Sequence, residues 1–567
     1  MRAAARRLTA PLLYLLLAVL GHLPALRSLA TTTQCACRDA PQTDWFLAWT
    51  PSALLSGRTP FVSHALGVPD GVNLMWNTLL PLPGVLLAPV TQTVGVLASH
   101  TLLGVLAFAL SATSMWAVAG RWAPWPPARF AAGLLYGFSP YLVAQGSGHL
   151  NLSLVALPPL VLLLLDDLLV RQTRSAVGRG VLLGLVATAQ LLTTEEVLAS
   201  TFVVCACGLL VLVAQHGLAG KLRHAAVGLG SAAVVLTLLA AYPLSVQFGG
   251  PQRVTAPVQD ASPYAADLLG AVVPTTFQLL GTSLTRDWGG NASENGSYLG
   301  GPLLLVLVGL AVAHRKVAVV RFAGVLGVVV WVLSLGERLH VGGTDTGVPL
   351  PFALLARLPV LENMAAVRYS LYVVLCAALV LAVGLDRLHA TGRLRLLPAG
   401  VLALACLVPL LPAWPYDYVE ADVPPYFTSA AVRAVPEGSV ALTYPVPRFP
   451  ESAPMLWQAE AGFRYRSLGG YVITPEASGA GTFTGSRTFL EQLLADVRRG
   501  APVPRSAALD ARVRAELADL RVDSVLVALP TPGSGEVQRY VTSLLGRGPD
   551  VVTGDVAAWY HVRDAAG

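Results

Sequence analysis

The sequence predicts an α-helical integral membrane bundle of about eleven transmembrane helices, followed by a C-terminal α/β domain outside the cytoplasm. Of the 567 residues, 54% are hydrophobic and only 12% are charged, and the mean hydropathy is +0.62. A soluble globular protein carries about twice that share of charged residues. Apolar runs of bilayer length occur repeatedly before residue 414, and the rest of the chain contains none.

Each predicted span is an apolar run near the roughly 20 residues that a helix needs to cross the hydrocarbon core. The segment 76–95 is also apolar, but it contains Pro81, Pro83 and Pro89, which interrupt a helix. We therefore expect this segment to lie along the interface or to re-enter the bilayer rather than to cross it. The predicted spans are residues 9–27, 97–119, 128–146, 151–170, 178–194, 197–215, 223–245, 300–314, 317–335, 367–386 and 396–413.

Positive charge predicts the orientation of these spans. Cytoplasmic loops are enriched in Lys and Arg, and a cytoplasmic N-terminus puts every basic cluster on that side, whereas counting 76–95 as a span would reverse the later ones. The first apolar segment has an alternative interpretation as a cleaved signal peptide, and residue 31 onward begins outside in both cases. The clusters are Arg2, Arg6 and Arg7; Arg121 and Arg129; Arg171, Arg174 and Arg179; Lys221 and Arg223; Arg315, Lys316 and Arg321; and Arg387, Arg393 and Arg395.

Two domains are predicted from the distribution of apolar runs. Residues 1–414 form the polytopic bundle, with an acidic first outer loop over 28–96, and residues 415–567 form the extracytoplasmic domain. In the second domain, strand-like "SVALTYPV" and "VDSVLVAL" alternate with helical "RTFLEQLLADVRRG" and "DARVRAELADL", a pattern typical of a small α/β domain.

Charge and cysteine content exclude other classes of partner and chemistry. The net charge of +6 is loop charge, and without a basic face it predicts no nucleic-acid partner. Cys35 and Cys37, in the outer loop, are either free thiols or a local oxidised pair, and they lack the spacing of a zinc site. The other four cysteines lie inside predicted spans and have no expected catalytic role.

Ionisable side chains near the outer ends of the spans are the candidate functional residues, because charged groups at membrane depth are costly and often functional. For Glu195 and Glu196, an ordinary solvated loop tip is an equally good interpretation. For His149, a histidine that hydrogen-bonds to a neighbouring residue is equally good. Asp166 and Asp167 are excluded, because they lie beside a cytoplasmic Arg cluster and are expected either to be solvated or to pair with it. The candidates are Asp39, Asp44, His149, Glu195 and Glu196.

The stretch "CRDAPQTDWFLAW", residues 37–49, combines acids with aromatic residues. Trp45, Phe46 and Trp49 have the spacing of one face of a short helix. Tryptophan commonly anchors helices at the membrane interface, and we expect these rings to do so. Such an anchor would hold Asp39 and Asp44 near the lipid head groups.

A carboxylate at the lipid–water boundary suits a substrate carried on a lipid. Such a base would deprotonate an acceptor hydroxyl, which would attack C1 of a sugar while a lipid phosphate leaves. Arg357 and Arg368 are the candidates that would bind the phosphate through a guanidinium, and Arg368 lies at the outer start of a span. The alternative for Arg368 is a flanking arginine that extends to the interface.

Over roughly residues 10–415, the sequence resembles the multispan GT-C glycosyltransferases of actinobacteria. The resemblance is carried by "RDAPQTDWFLAWTPSALLSGRTPF", "GVPDGVNLMWNTLLPLPG", "GFSPYLVAQGSGHLNLSLVALPPL" and "LLTTEEVLAS". It implies a transferase that takes sugar from a polyprenyl-phosphate donor and passes it to an envelope glycan, lipid or protein acceptor on the outer face of the cytoplasmic membrane.

The resemblance also implies that an acid of the first outer loop serves as catalytic base or acceptor ligand. Asp39 matches this acid by its place ahead of "WFLAW", but the chain reads Asp39-Ala40-Pro41 where the family commonly has Asp-Pro or paired acids, so Asp44 stays an alternative. His149, Glu195 and Glu196 are expected to position the acceptor or a cation. Some family members use a divalent cation, and the cofactor here is unknown.

Two interpretations compete with a transferase. A transporter or flippase of lipid-linked glycans is expected to have broken helices and polar groups near the bilayer midplane, whereas the ionisable groups here lie at the rim. A non-enzymatic envelope assembly protein would need neither Asp39 nor the glutamate pair.

Overall fold

A computed structural model describes residues 2–34, 38–216, 220–258, 262–392, 396–483 and 488–563. The chain forms two compact units, each assembled from three stretches. Unit 1 comprises Met1–Ser28, Thr101–Ala241 and Asp260–Tyr418; unit 2 comprises Leu29–His100, Tyr242–Gln259 and Val419–Gly567. The predicted domain boundary after residue 414 stays a prediction. The proposed pairing of Cys35 with Cys37 lies outside the described residues.

Helices dominate the described residues. They include 3₁₀ turns at Ala292–Glu294 and Ala366–Tyr369 and a π-helix at Asp166–Arg171. The α-helices are α1 (Arg2–Gly21), α2 (Leu23–Leu26), α3 (Asp39–Leu55), α4 (Pro81–Leu86), α5 (Ala88–Thr93), α6 (Val96–Ala119), α7 (Pro126–Gly137), α8 (Pro140–Gly146), α9 (Leu150–Ser153), α10 (Pro158–Leu165), α11 (Ala176–Leu191), α12 (Glu195–His216), α13 (Leu222–Gly249), α14 (Gly301–Ala313), α15 (Ala318–Ser334), α16 (Phe352–Leu355), α17 (Ser370–Ala390), α18 (Leu396–Leu407), α19 (Pro425–Thr428), α20 (Ala453–Glu460), α21 (Phe489–Arg498), α22 (Ala507–Asp519) and α23 (Ser534–Leu545).

The chain is a multi-pass membrane protein. Among the described residues, five segments are long and apolar enough to cross a bilayer: Val96–Ala119, Leu150–Arg171, Glu195–Gln215, Leu222–Gly249 and Ala366–Ala390. Shorter apolar helices occupy Leu8–Gly21, Ala176–Leu191, Gly301–Ala313, Ala318–Ser334 and Val401–Leu410. These positions match predicted spans, but the predicted number of about eleven crossings and the orientation of the termini stay predictions.

Predicted span 151–170 is interrupted between α9 and α10, and predicted span 128–146 is likewise not a continuous helix. The latter divides into α7 and α8 at Phe138 and Ser139. Proline lacks an amide hydrogen and disfavours a helical conformation in the residue before it, and Pro140 acts in this way here. Ser139 has extended backbone angles, and its hydroxyl accepts a 3.3 Å hydrogen bond from the Leu142 amide to cap α8.

The proline-containing segment 76–95 likewise forms no long helix. It contains α4 and α5, six residues each, and six helical residues extend only about 9 Å. Neither helix is long enough to cross a hydrocarbon core of about 30 Å. This agrees with the expectation that the segment does not span.

Helix α17 is central to unit 1. Of the apolar stretch at Ala366–Ala390, 89% is buried within the protein, compared with 22% for Leu222–Gly249. Helices α7, α14 and α15 pack against α17. At Gly384, a methyl group would lie 2.8 Å from Leu310 of α14, so glycine permits this close helix contact. The position of α17 makes its N-terminal turn a rigid support for side chains.

The strands of the described residues, of which β4 and β5 belong to unit 1, are β1 (Thr32–Gln34), β2 (Val62–Ser63), β3 (Val72–Asn73), β4 (Arg338–Val341), β5 (Thr344–Pro349), β6 (Tyr418–Glu420), β7 (Val440–Tyr444), β8 (Arg466–Ser467), β9 (Thr474–Pro475), β10 (Gly481–Thr482), β11 (Val522–Ala528), β12 (Val551–Val552) and β13 (Val556–Trp559). Unit 2 contains a five-stranded mixed sheet with the order β12-β13-β11-β7-β8. Strands β7 and β8 run parallel to β11, and β13 is antiparallel to it. The predicted segments at 439–446, 522–529 and 487–500 contain β7, β11 and α21, respectively, and the segment at 510–520 overlaps α22.

Candidate functional site

Unit 1 contains a cluster of polar and charged side chains at helix ends. We call it the Arg368 cluster and define it as Arg368, Glu196, Glu294, Gln145 and His149. Of these, the sequence predicted Arg368, Glu196 and His149 as site residues, and the structure brings all three together. Glu294 and Gln145 were not predicted.

Local structure positions each member of the Arg368 cluster. Arg368 lies in the 3₁₀ turn that leads into α17, and Glu196 lies in the first turn of α12. Gln145 is near the end of α8, and His149 precedes α9. Glu294 ends a 3₁₀ turn that is capped by the side chain of Asn291, whose oxygen accepts a 3.1 Å hydrogen bond from the Glu294 amide.

Arg368 binds two carboxylates at once. Its Nε donates to both oxygens of Glu294, at 3.1 and 3.2 Å, and its Nη2 donates to Glu294 Oε1. The opposite guanidinium nitrogen, Nη1, donates to Glu196 Oε2. A planar guanidinium with several fixed donors suits this double pairing. Arg368 therefore holds two acids on different helical segments in one arrangement.

Gln145 and His149 also contact the Glu294 carboxylate. Gln145 donates from Nε2 to Glu294 Oε2 at 2.9 Å. The Nδ1 atom of His149 lies 2.9 Å from Gln145 Oε1 and 3.6 Å from Glu294 Oε1. The bond between His149 and Gln145 agrees with the alternative interpretation of a histidine bonded to a neighbour. The histidine therefore contacts both a neighbour and the buried carboxylate.

Glu294 is ionised in this environment. Its side chain is 1% exposed, and burial alone would raise its pKa. The Arg368 charge, the His149 imidazole and hydrogen bonds from Arg368 and Gln145 together lower the pKa to about 2. Arg368 faces two glutamates, so the formal charges of these three side chains sum to −1, which favours hydroxyl donors and cations over anions.

Buried oxygens beside Arg368 have unused bonding capacity. Within the described part of the chain, no group hydrogen-bonds to Glu196 Oε1, Tyr369 Oη or Ser370 Oγ, although all three atoms are buried. Buried polar groups are nearly always satisfied. These atoms are consequently candidates to bind substrate hydroxyls. The Glu196 side chain as a whole is 25% exposed, although its Oε1 atom is buried.

The predicted phosphate-binding role of Arg368 stays a prediction, and in the structure its guanidinium is paired with Glu196 and Glu294. A phosphate would have to displace Glu196 or Glu294 from the guanidinium and would meet the negative charge of both. Positioning of carboxylates is the role that the contacts of Arg368 favour. Glu195 shares the first turn of α12 with Glu196 and is partly buried.

In unit 2, helix α3 carries both candidate aspartates in different environments. Asp44 is fully buried, and its Oδ1 lies 2.6 Å from His100 Nδ1. Burial raises the pKa of Asp44, while His100 opposes that rise. Among the described residues, none hydrogen-bonds to Asp44 Oδ2. Asp39 is five residues earlier, on a different face of the helix, and is only partly buried.

The predicted membrane anchor in α3 is wrong. Trp45 and Trp49 are at most 1% exposed and stack on each other with centroids 5.3 Å apart. Trp45 Nε1 donates to Gln458 Oε1 at 2.7 Å, and Trp49 Nε1 donates to the Pro60 carbonyl at 3.0 Å. Their polar edges therefore have partners inside the protein, and the rings form part of a core rather than an interfacial anchor. The predicted short helix itself is present.

Asp166 and Asp167 are paired with neighbouring arginines, which is one of the two environments that the sequence predicted for them. Arg121 lies 3.4 Å from Asp166 and 2.7 Å from Asp167. Arg171 pairs with Asp166 at 2.9 Å, and Arg179 pairs with Asp167 at 3.2 Å. The acids are therefore neutralised by the neighbouring basic residues.

Metal-ligating groups do not cluster in the described residues. There, no three His, Cys, Asp or Glu side chains are arranged to hold a metal ion. In the Arg368 cluster, the guanidinium occupies the position between the carboxylates that a cation would take. The divalent cation that the resemblance allows is therefore not assigned to these residues.

No protein-family model matches the sequence, and no curated protein is similar to it in sequence. The mycobacterial arabinofuranosyltransferase AftD has a similar structure, with a TM-score of 0.53, 15% identity and coverage of 93% of this chain. The chain spans only 35% of the AftD chain. AftD is a GT-C-type glycosyltransferase. The chain has a GT-C-type fold. The predicted GT-C resemblance is confirmed at the level of the fold.

An archaeal oligosaccharyltransferase, AglB from Archaeoglobus fulgidus, was solved in complex with an inhibitory peptide and a dolichol-phosphate. It is 12% identical, with a TM-score of 0.44 and coverage of 96% of this chain and 71% of that one.

Proposed function

We propose that this chain is a membrane glycosyltransferase that moves a sugar from a polyprenyl-phosphate donor to an envelope glycan, lipid or protein acceptor on the outer face of the cytoplasmic membrane. The observation that carries the proposal is the net-acidic Arg368 cluster within a bundle of GT-C-type fold. Ionised groups in a membrane bundle are costly and are commonly functional, and this cluster presents buried oxygens that accept hydrogen bonds from hydroxyl-rich substrates.

The proposed reaction is a displacement at C1 of the donor sugar. A carboxylate accepts the proton of an acceptor hydroxyl, the oxygen attacks C1, and the bond between C1 and the phosphate oxygen breaks. Polyprenyl phosphate leaves with the bonding electrons. Asp39 is proposed as the base rather than Asp44, because Asp39 is partly exposed whereas Asp44 is fully buried against His100.

The Arg368 cluster is proposed to orient substrate hydroxyls. Glu196 accepts a hydrogen bond through Oε1, and the imidazole of His149, which is 20% exposed, provides a second polar contact. Arg368 acts as a positioning residue that keeps Glu294 ionised and holds both Glu196 and Glu294 in place. Glu195, at the same helix end, is proposed to add negative charge there.

Reconstitution in proteoliposomes separates transfer from transport. The full chain is reconstituted, and polyprenyl phosphates carrying radiolabelled pentose or hexose are added with envelope acceptor fractions outside the vesicles. A transferase yields labelled acceptor and polyprenyl phosphate. A flippase instead moves the labelled donor into a protected inner leaflet without forming product, and this outcome would overturn the proposal.

A further inference from the structure

Unit 1 contains an apolar cavity of about 330 Å³, which we call the bundle cavity. It is lined by residues of α10, the π-helix, α12, α15 and α17, among them Leu165, Gly208, Phe322 and Cys376. An engineered apolar cavity of about 150 Å³ binds a benzene molecule. The bundle cavity therefore has room for a hydrocarbon chain larger than benzene.

The depth of the cavity matches one leaflet. On α12 its lining extends from Thr201 to Leu212, a rise of about 16 Å for eleven residues. Half of a hydrocarbon core of about 30 Å is about 15 Å. The exposed side chains of Val170 and Leu209 are part of the lining, so the cavity opens on the bundle surface, which faces lipid in a membrane.

Hydroxyl groups lie at one end of the cavity. The Tyr372 hydroxyl lies there, 2.7 Å from Ser200 Oγ and 2.9 Å from Thr201 Oγ1, and donates to the Val197 carbonyl at 2.9 Å. Arg368 is one helical turn beyond Tyr372. The hydroxyl network therefore lies between the bundle cavity and Arg368 along the chain, and the two charged residues of the lining, Asp166 and Arg387, are at the other end.

The other end of the cavity is basic. Arg387 lines it, and Arg315 and Lys316 directly precede the lining residues of α15. Asp166, the acid in the lining, is already paired with Arg121 and Arg171. Positive charge therefore remains at this end, which the positive-inside rule assigns to the cytoplasmic face.

We propose that the bundle cavity binds one acyl chain of an anionic phospholipid from the cytoplasmic leaflet, with the lipid phosphate beside Arg387. Basic pockets between transmembrane helices on the cytoplasmic side are suited to acidic head groups. The bound acyl chain fills the space between α12 and α17. Helix α12 carries Glu196, and α17 begins directly after the turn that contains Arg368. This inference does not depend on the proposed transferase activity.

The test uses phosphatidylglycerol with a photoreactive diazirine near the end of one acyl chain, in nanodiscs that contain the full protein. Labelling is expected in peptides covering 201–212 and 372–387. Gly208→Leu places a side chain in the cavity, since a methyl group at Gly208 would lie 3.4 Å from Phe322, and it is expected to reduce labelling at least about tenfold. Gly230→Leu, at an exposed glycine with open space around it, is the control and should label normally.

Head-group specificity is tested with a phosphatidylcholine probe that has the same chains. Arg387→Gln should reduce the preference for phosphatidylglycerol about fivefold, as expected for loss of one basic contact, whereas Arg223→Gln should not. Without any mutation, phosphatidylglycerol should protect Cys205 and Cys376 from a membrane-permeant maleimide, because both line the cavity. Equal labelling by both probes and no protection would overturn the proposal, as would displacement of the label by polyprenyl phosphate alone.

Discussion

Replacing Glu294 by glutamine tests the electrostatics of the Arg368 cluster. The pKa of Glu294 is lowered from 4.5 to about 2, and one pKa unit corresponds to about 1.4 kcal/mol. The folded environment therefore stabilises this buried carboxylate by about 3 kcal/mol. Glu294→Gln is expected to lower the free energy of unfolding by about that amount, because glutamine keeps the size but not the charge that balances Arg368.

The measurement is equilibrium unfolding of the purified protein in mixed detergent micelles. Because the folded pKa lies below the unfolded one, the contribution of Glu294 is complete above about pH 5 and disappears as the pH falls towards 2. Glu294→Gln should flatten the pH dependence of stability in this window. Glu437→Gln, at an exposed glutamate, is the control and should change stability by less than about 0.5 kcal/mol. Identical behaviour of the two variants would refute the reasoning.

Three further results are expected. Asp44→Asn should lose about 2 kcal/mol of stability in the same unfolding assay, because it weakens a buried hydrogen bond to His100; unchanged stability would contradict a structural role. Glu196→Gln should lose less stability than Glu294→Gln, since Glu196 is 25% exposed and its ion pair is screened, but it should raise the KM for acceptor in the transfer assay; an unchanged KM would exclude it from substrate binding. Cysteines introduced after residue 420 should react with an impermeant reagent added to intact cells, and protection from it would contradict the predicted orientation.

Hydrophobic run length predicted the positions of the helices well, because a membrane bundle requires each long helix to be apolar. Run length was less successful in predicting where a proline interrupts an apolar helix. Pro140 in "FSPYL" divides a predicted span, and the signal for this break was present in the sequence. The pairing of Asp166 and Asp167 with arginines was also predictable, because basic residues follow the two acids closely in the sequence.

The candidate site was only partly predictable. Arg368, Glu196 and His149 stood out as ionisable residues at the ends of spans, but Glu294 lies in a long polar loop with other acids, and nothing in its local sequence distinguishes it. Its role depends on a tertiary contact with Arg368, 74 residues away. Trp45 was misassigned for a related reason. A tryptophan in a short helix has the same spacing at a membrane interface as in a protein core, and only its partner, Gln458, distinguishes the two.

The release of polyprenyl phosphate in proteoliposomes is the most direct test of the proposed glycosyl transfer and its base. The wild-type protein should release polyprenyl phosphate in step with labelled acceptor. A positioned general base contributes about 10²–10⁴-fold in rate, so Asp39→Asn should slow release by that factor while the unfolding midpoint stays unchanged. Asp70→Asn, at an exposed aspartate of the same unit, should release at the wild-type rate. Release by Asp39→Asn at the wild-type rate would contradict the assignment of the base, and no release by the folded wild-type protein from any pentosyl or hexosyl donor would contradict the transferase itself.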